Sequence, residues 1–298
     1  MDTAMTARLI EAQRNEITEH YVYKRLAARE KNAANRDVLE RIASDERRHY
    51  DFWGERTGQQ PPPRKGKLLA YTWLARLLGL TFAVKLMERG EEGAQVNYAD
   101  VAQRLPEARE IVEDEEGHEE ALVAMLDEER LRYVGSVVLG LSDALVELTG
   151  ALAGLTLALQ NNRLIALIGL VTGVAASLSM AASEYLSTKS EADDATSDDD
   201  GETVKSPIKA ATYTGIAYIF AVAMLVAPFL LLATPVGALG VSLAAAMVIV
   251  FAFTYYISVA RDLPLGHRFA EMAGLVLGVS ALSFGIGYLL RLALGVEV

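Results

Sequence analysis

Five apolar stretches, each long enough to cross a bilayer as a helix, occupy the chain from Val138 to Leu294: Val138–Leu159, Leu164–Thr188, Ile208–Ala233, Val236–Ala260 and Phe269–Leu294. A crossing takes ~20 residues. The first two hold acids where hydrocarbon penalises each charge by roughly 2.5–3.5 kcal/mol or more. Asp143, Glu147, Gly150 and Gly154 follow i, i+4, i+7, i+11 and share one helical face. Gly169, Gly173, Ala176, Met180 and Glu184 repeat that arrangement on the next stretch. Small residues that admit a neighbouring helix thus lie in line with metal-capable side chains. The pattern is that of a cation path between closely packed helices, lined by Asp143, Glu147, Met180 and Glu184 and shared between two copies of spans one and two.

The other half is different. Up to about Arg132 the chain is rich in Glu, Arg, Asp and Lys, so the expected division is residues 1–132 and 133–298. The net charge of −11 argues against nucleic acid and for cations as partners. There is no cysteine, which excludes thiolate zinc sites, iron–sulfur clusters and any Cys-ligated rubredoxin module. The polar N-terminus has no apolar segment of signal-peptide type. Lys and Arg near the span ends are unevenly shared: Arg130, Arg132, Lys189, Lys205, Lys209, Arg261 and Arg268 fall on one side, and Arg163 and Arg291 on the other. By the positive-inside rule, the polar half is expected in the cytoplasm and the C-terminus across the membrane.

In the polar half, helical spacing predicts helices over Met5–Lys31 and Asn35–Thr57. A stiff connector follows around Pro61-Pro62-Pro63. A third helix over Leu68–Ala102 is weakened at Gly90 and Gly93, and a fourth runs from Pro106 to about Arg132. This is an all-α chain: a four-helix bundle followed by five spans. The chemistry lies in a repeat. Glu46-Arg-Arg-His49 and Glu115-Glu-Gly-His118 each set a carboxylate and an imidazole one turn apart on one face. Helix one carries Glu16 with Tyr23 seven residues on; helix three carries Glu91 with Tyr98 seven residues on. One Glu from each of two helices plus Glu-x-x-His from the other two is the ligand set of a carboxylate-bridged di-metal site, suited to Fe²⁺ or Mn²⁺. On the third helix Glu88, Glu91 and Glu92 compete; the tyrosine spacing favours Glu91, with Glu88 as an additional ligand one turn earlier. His20 is a second-sphere or surface histidine.

These residues resemble the rubrerythrin and ferritin-like di-iron family. The resemblance implies that Glu16, Glu46, His49, Glu91, Glu115 and His118 bind iron. Without a rubredoxin module, it implies iron binding, sensing or oxidation rather than peroxidase turnover. The segments Gly140-Leu-Ser-Asp143-Ala-Leu-Val-Glu147 and Ser177-Leu-Ser-Met180-Ala-Ala-Ser-Glu184-Tyr resemble the vacuolar iron transporter family. There an aspartate in span one and a methionine in span two line the path, at the positions of Asp143 and Met180. That resemblance implies proton-coupled export of Fe²⁺ or Mn²⁺ by a homodimer in the membrane, here the plasma membrane of a prokaryote. The family's metal-binding insert between spans two and three is reduced to a loop with Glu191, Asp193, Asp194, Asp198, Asp199, Asp200 and Glu202. The fused arrangement is similar to the membrane-bound ferritin proteins. A membrane-anchored di-iron oxidase or peroxidase is the alternative, but it leaves the acids of the spans without a purpose.

Overall fold

In a computed structural model, residues 3–92, 108–124, 129–195, 205–261 and 263–294 are described. Among them the chain is all-helical: α1 Thr3–Ala27, α2 Ala33–Thr57, α3 Lys65–Leu78, α4 Leu80–Glu92, α5 Arg109–Ala124, α6 Glu129–Leu159, α7 Asn162–Ala195, α8 Pro207–Leu231, α9 Pro235–Ala260 and α10 Leu265–Leu294. The chain divides into two compact units, Met1–Glu128 and Glu129–Val298.

In the first unit α1 packs along α2 and also meets α3, while α2 meets α5. The Asn32 side chain opens α2 by accepting hydrogen bonds from the Ala34 and Asn35 amides, which supplies orphan donors with a partner. Gly58, in the left-handed region at φ 65°, closes it. The apolar stripes of α1 and α2 meet in a core holding Val22, Tyr23, Leu26, Leu39 and Ile42, to which Leu68, Val84 and Met87 add. The expected third helix is broken, and not at Gly90, which lies within α4; Gly93 is outside the described residues. The break falls at Gly79, whose φ of 103° and ψ of 160° lie where only glycine sits without strain. Tyr98 and Pro106 lie outside the described residues.

In the second unit all five apolar stretches are helices long and apolar enough to span a membrane, so the protein is an integral membrane protein. Several run further than hydropathy implied. The first starts at Glu129 rather than Val138, and takes in Arg132, which had been assigned to the preceding helix. The second continues to Ala195, so Glu191 and Asp193 of the expected acidic loop are helical; the acids from Asp198 to Glu202 lie outside the described residues. The extra turns are polar, and backbone hydrogen bonding continues through them regardless of side-chain polarity. Asn161 accepts from the Arg163 and Leu164 amides at the head of α7, and Pro207 and Pro235 stand in the first turns of α8 and α9, where a missing N–H costs nothing. Tyr218, Leu225, Val226 and Phe229 of α8 lie at the centre of the unit's core, against Leu145, Leu148 and Leu152 of α6 and Ile165 of α7.

The glycine stripes are used within the chain. A Cβ on Gly150 would meet Val279 and Ser283, and one on Gly154 would meet the Ser283 carbonyl, all on α10. One on Gly169 would meet Leu152 and Val226, and one on Gly173 would come within 2.7 Å of the Val222 side chain. These glycines therefore admit spans five and three of the same chain, not the spans of a second copy as the stripes had suggested.

Candidate metal centre

Three helices of the first unit bring the repeat together. The helical period that puts Glu and His on one face of α2 also turns that face inward, because the same face carries Leu39, Ile42 and Trp53, all fully buried. Glu16 of α1, Glu46 and His49 of α2 and Glu115 of α5 each offer a ligand atom, all within 4.8 Å of one another. Nδ1 of His49 lies 3.6 Å from Glu16, 3.9 Å from Glu46 and 3.3 Å from Glu115. His118 joins them, its Nδ1 3.4 Å from Glu46 and 3.9 Å from Glu115. The two imidazole centroids stand 5.9 Å apart. The side chains of Glu88, Glu91 and Glu92, at the end of α4, lie outside the described residues.

The two histidines are held crosswise. Nε2 of His49, on α2, lies 3.1 Å from Asp114 on α5; Nε2 of His118, on α5, lies 3.2 Å from Asp45 on α2. Arg48 binds both aspartates, 2.6 Å from Asp45 and 2.5 Å from Asp114. The Trp53 indole N–H donates to Glu16 at 3.3 Å. Asp45, Asp114, Arg48 and Trp53 did not figure among the candidate residues. The signal for the aspartates was present, since the repeat reads Asp-Glu-x-x-His in both copies. His20 donates from Nδ1 to the Ala43 carbonyl at 2.5 Å, which makes it a structural tie between α1 and α2.

The site gathers buried carboxyl groups around two imidazoles, and Glu46, His49 and Glu115 are each shifted by burial and by their neighbours. Burial, with the charges of Glu115 and Glu16, raises Glu46 well above the ordinary carboxyl range. Burial and Glu16 likewise raise Glu115, against the opposing pull of His49. Burial opposes a charge on His49, but its contacts with Glu115, Glu16 and Asp114 outweigh that and push it up to about 10. Burial also opposes ionisation of Asp114, and its bonds to His49 and Arg48 overcome this to hold it below the ordinary value. Oε2 of Glu46 and Nδ1 of both histidines are buried without a hydrogen-bond partner. Buried polar atoms left so cost about 1–3 kcal/mol each. A set of oxygen and nitrogen donors whose buried atoms are left without partners fits a divalent transition metal, and each histidine's far nitrogen meets a carboxylate, as ligating imidazoles do.

The candidate residues of the spans do not converge in this way among the described residues. Glu147 is exposed, and its Oε2 accepts the Tyr218 hydroxyl of α8 at 2.8 Å. Glu184 accepts from Ser136 at 2.5 Å, joining α7 to α6. Asp143 is half-buried, and Met180 packs partly buried against the core of the unit. Ser136 is itself bound through its carbonyl to Thr214 at 3.0 Å. Tyr218 and Ser136 were not foreseen, because nothing local in sequence pairs α8 with Glu147 or the head of α6 with Glu184.

No curated protein matches the chain. Residues 134–203, which contain Asp143, Glu147, Met180 and Glu184, match the sequence model of the VIT family.

Proposed function

We propose that this protein is a proton-coupled exporter that carries Fe²⁺ or Mn²⁺ out of the cytoplasm, with a ferritin-like four-helix domain over residues 1–132 that captures or senses iron. The match of residues 134–203 to the VIT family carries the transport reading. It covers both helices on which acids and a methionine share a face. Asp143, Glu147 and Glu184 supply oxygen ligands, and the Met180 thioether adds a soft ligand that disfavours Mg²⁺ and Ca²⁺. A carboxylate withdrawn from water holds either a proton or a cation, so proton and metal compete for one place, which is the physical basis of antiport. The transporting membrane domain is residues 133–298. Its Lys and Arg distribution supports an N-terminal domain in the cytoplasm and a C-terminus opposite, in a prokaryotic plasma membrane. The functional unit is a homodimer.

The convergence of Glu16, Glu46, His49 and Glu115 supports the metal-binding role of the first unit. These residues with His118 would hold iron, joined by Glu91 or Glu88, and the metal would supply redox chemistry there. Asp45 and Asp114 fix each imidazole so that Nδ1 faces the carboxylates, and Arg48 holds the two aspartates in register. The same cluster favours a second reading, a membrane-anchored di-iron oxidase or peroxidase.

The deciding experiment is Fe²⁺ flux into proteoliposomes under an imposed proton gradient, with Asp143→Asn and Met180→Ala beside the intact chain. Proton-dependent flux lost in both variants is the expected result. Absence of flux in the folded, metal-loaded intact protein overturns transport and leaves the oxidase to be assayed.

A further inference from the structure

Among the described residues of the first unit, the large apolar side chains that stand exposed are Tyr21, Leu69, Trp73 and Leu77. The last three lie on one helix, α3, at i, i+4 and i+8, and so form one stripe. Their exposures are 56%, 52% and 66%. The stripe is not the core face misplaced. Leu68 and Thr72 of the same helix are buried, with Tyr71 and Ala75 packed beside them, so α3 is apolar on two sides. Two of its three cations stand with the outer stripe: Lys65 is one turn before Leu69, and the Arg76 guanidinium lies 5.7 Å from the Trp73 ring. Lys65, Lys67 and Arg76 are charged and no acid occurs on α3, in a chain of net charge −11.

We propose that α3 lies on the bilayer surface, with Leu69, Trp73 and Leu77 in the headgroup–acyl boundary and Lys65 and Arg76 on anionic headgroups. An exposed apolar stripe edged by cations, with an indole at its centre, is the composition of an interfacial helix. The occupant is set by two observations. The stripe is edged by cations and α3 carries no acid, which complements anionic headgroups. The chain also enters a membrane from Tyr133 onward, so this unit is covalently held to a lipid surface.

The chain contains two tryptophans, Trp53 and Trp73, and none in the spans. Trp53 is fully buried. Full-length protein is reconstituted into vesicles of phosphatidylcholine and phosphatidylglycerol, with bromine on the upper acyl chain as quencher. Roughly half the total emission should be lost relative to unbrominated vesicles, since one of two indoles reaches the acyl boundary. Trp73→Phe should abolish that loss while Trp53 continues to report a folded unit. Lys65→Glu with Arg76→Glu should reduce the loss. Equal emission in brominated and plain vesicles overturns the proposal. If Trp73 is then also shielded from an aqueous quencher, the stripe is covered by a second copy instead. The readout does not involve metal, so it succeeds or fails independently of transport.

Discussion

Nε2 of His49 lies 3.1 Å from Asp114 Oδ2, a residue sixty-five positions later on another helix. The relation is reciprocal, since His118 is held by Asp45 at 3.2 Å. Each Asp-Glu-x-x-His segment thus supplies the carboxylate that orients the histidine of the other, and Arg48 ties the two aspartates together. Loss of one aspartate should therefore loosen an imidazole without removing a ligand.

Asp114→Asn should lower metal affinity of the first unit about 10–100-fold, the usual cost of losing a carboxylate behind a ligating histidine. Competition with a chelator of known affinity measures it. Affinity equal to that of the unsubstituted chain would show that the cross-pairing does not orient His49.

Without metal, the first unit should lose stability as pH rises. The folded chain holds a proton on His49 up to about 10, whereas an unfolded histidine releases it near 6.5. Glu46 and Glu115, raised by burial, shift stability in the same direction. The native state thus binds more protons than the unfolded one, and stability falls by up to about 1.4 kcal/mol per pH unit for each extra proton. Bound metal displaces those protons, so the stabilisation by Mn²⁺ should grow over the same window. Hydrogen exchange of α1 and α2 at several pH values, with and without Mn²⁺, tests both signs.

Gly140 sits where α6 crosses α8, and a methyl there would strike the backbone carbonyl of Thr214. Backbone cannot step aside as a side-chain tip can, so Gly140→Ala should destabilise the second unit by about 1–3 kcal/mol. Gly274→Ala, with nothing within 4 Å of the added carbon, should be neutral or stabilising by up to about 1 kcal/mol. Thermal unfolding in detergent compares the two.

The Tyr218 hydroxyl is bound to Glu147 at 2.8 Å while its ring is fully buried. Tyr218→Phe keeps the packing and removes one hydrogen bond to a carboxylate, a loss of about 1.5–3 kcal/mol. If Glu147 lies on the path, the apparent Fe²⁺ affinity of flux should change about tenfold or more, with folding intact. An unchanged concentration dependence would take Glu147 off the path.

Much of this was legible from local pattern. The spans followed from hydropathy, and the inward face of α2 followed from helical period, because both depend on residues close together in the chain. Glu46 and His49 declare themselves together for that reason. The break at Gly79 was not legible, since three glycines in one stretch are alike in sequence and only packing decides which takes the unusual dihedrals. Asp45 and Asp114 sat in plain view beside the two glutamates. Their partners could not be read, because they lie on the opposite helix. The same holds for Gly150 and Gly154: small residues announce close approach but not the neighbour, which proved to be α10.

The sequence by itself determined that the chain is helical, which stretches are apolar enough for a membrane, and which residue types can ligate metal. Those are properties of backbone hydrogen bonding and transfer free energy over short stretches. Tertiary structure alone decided that Glu16, Glu46, His49 and Glu115 converge, that the histidines are cross-held by aspartates, and that Tyr218 and Ser136 bind the acids of the spans. Such pairings depend on the register between helices distant in the chain. That register is set by the summed packing of many side chains, and no local pattern encodes it.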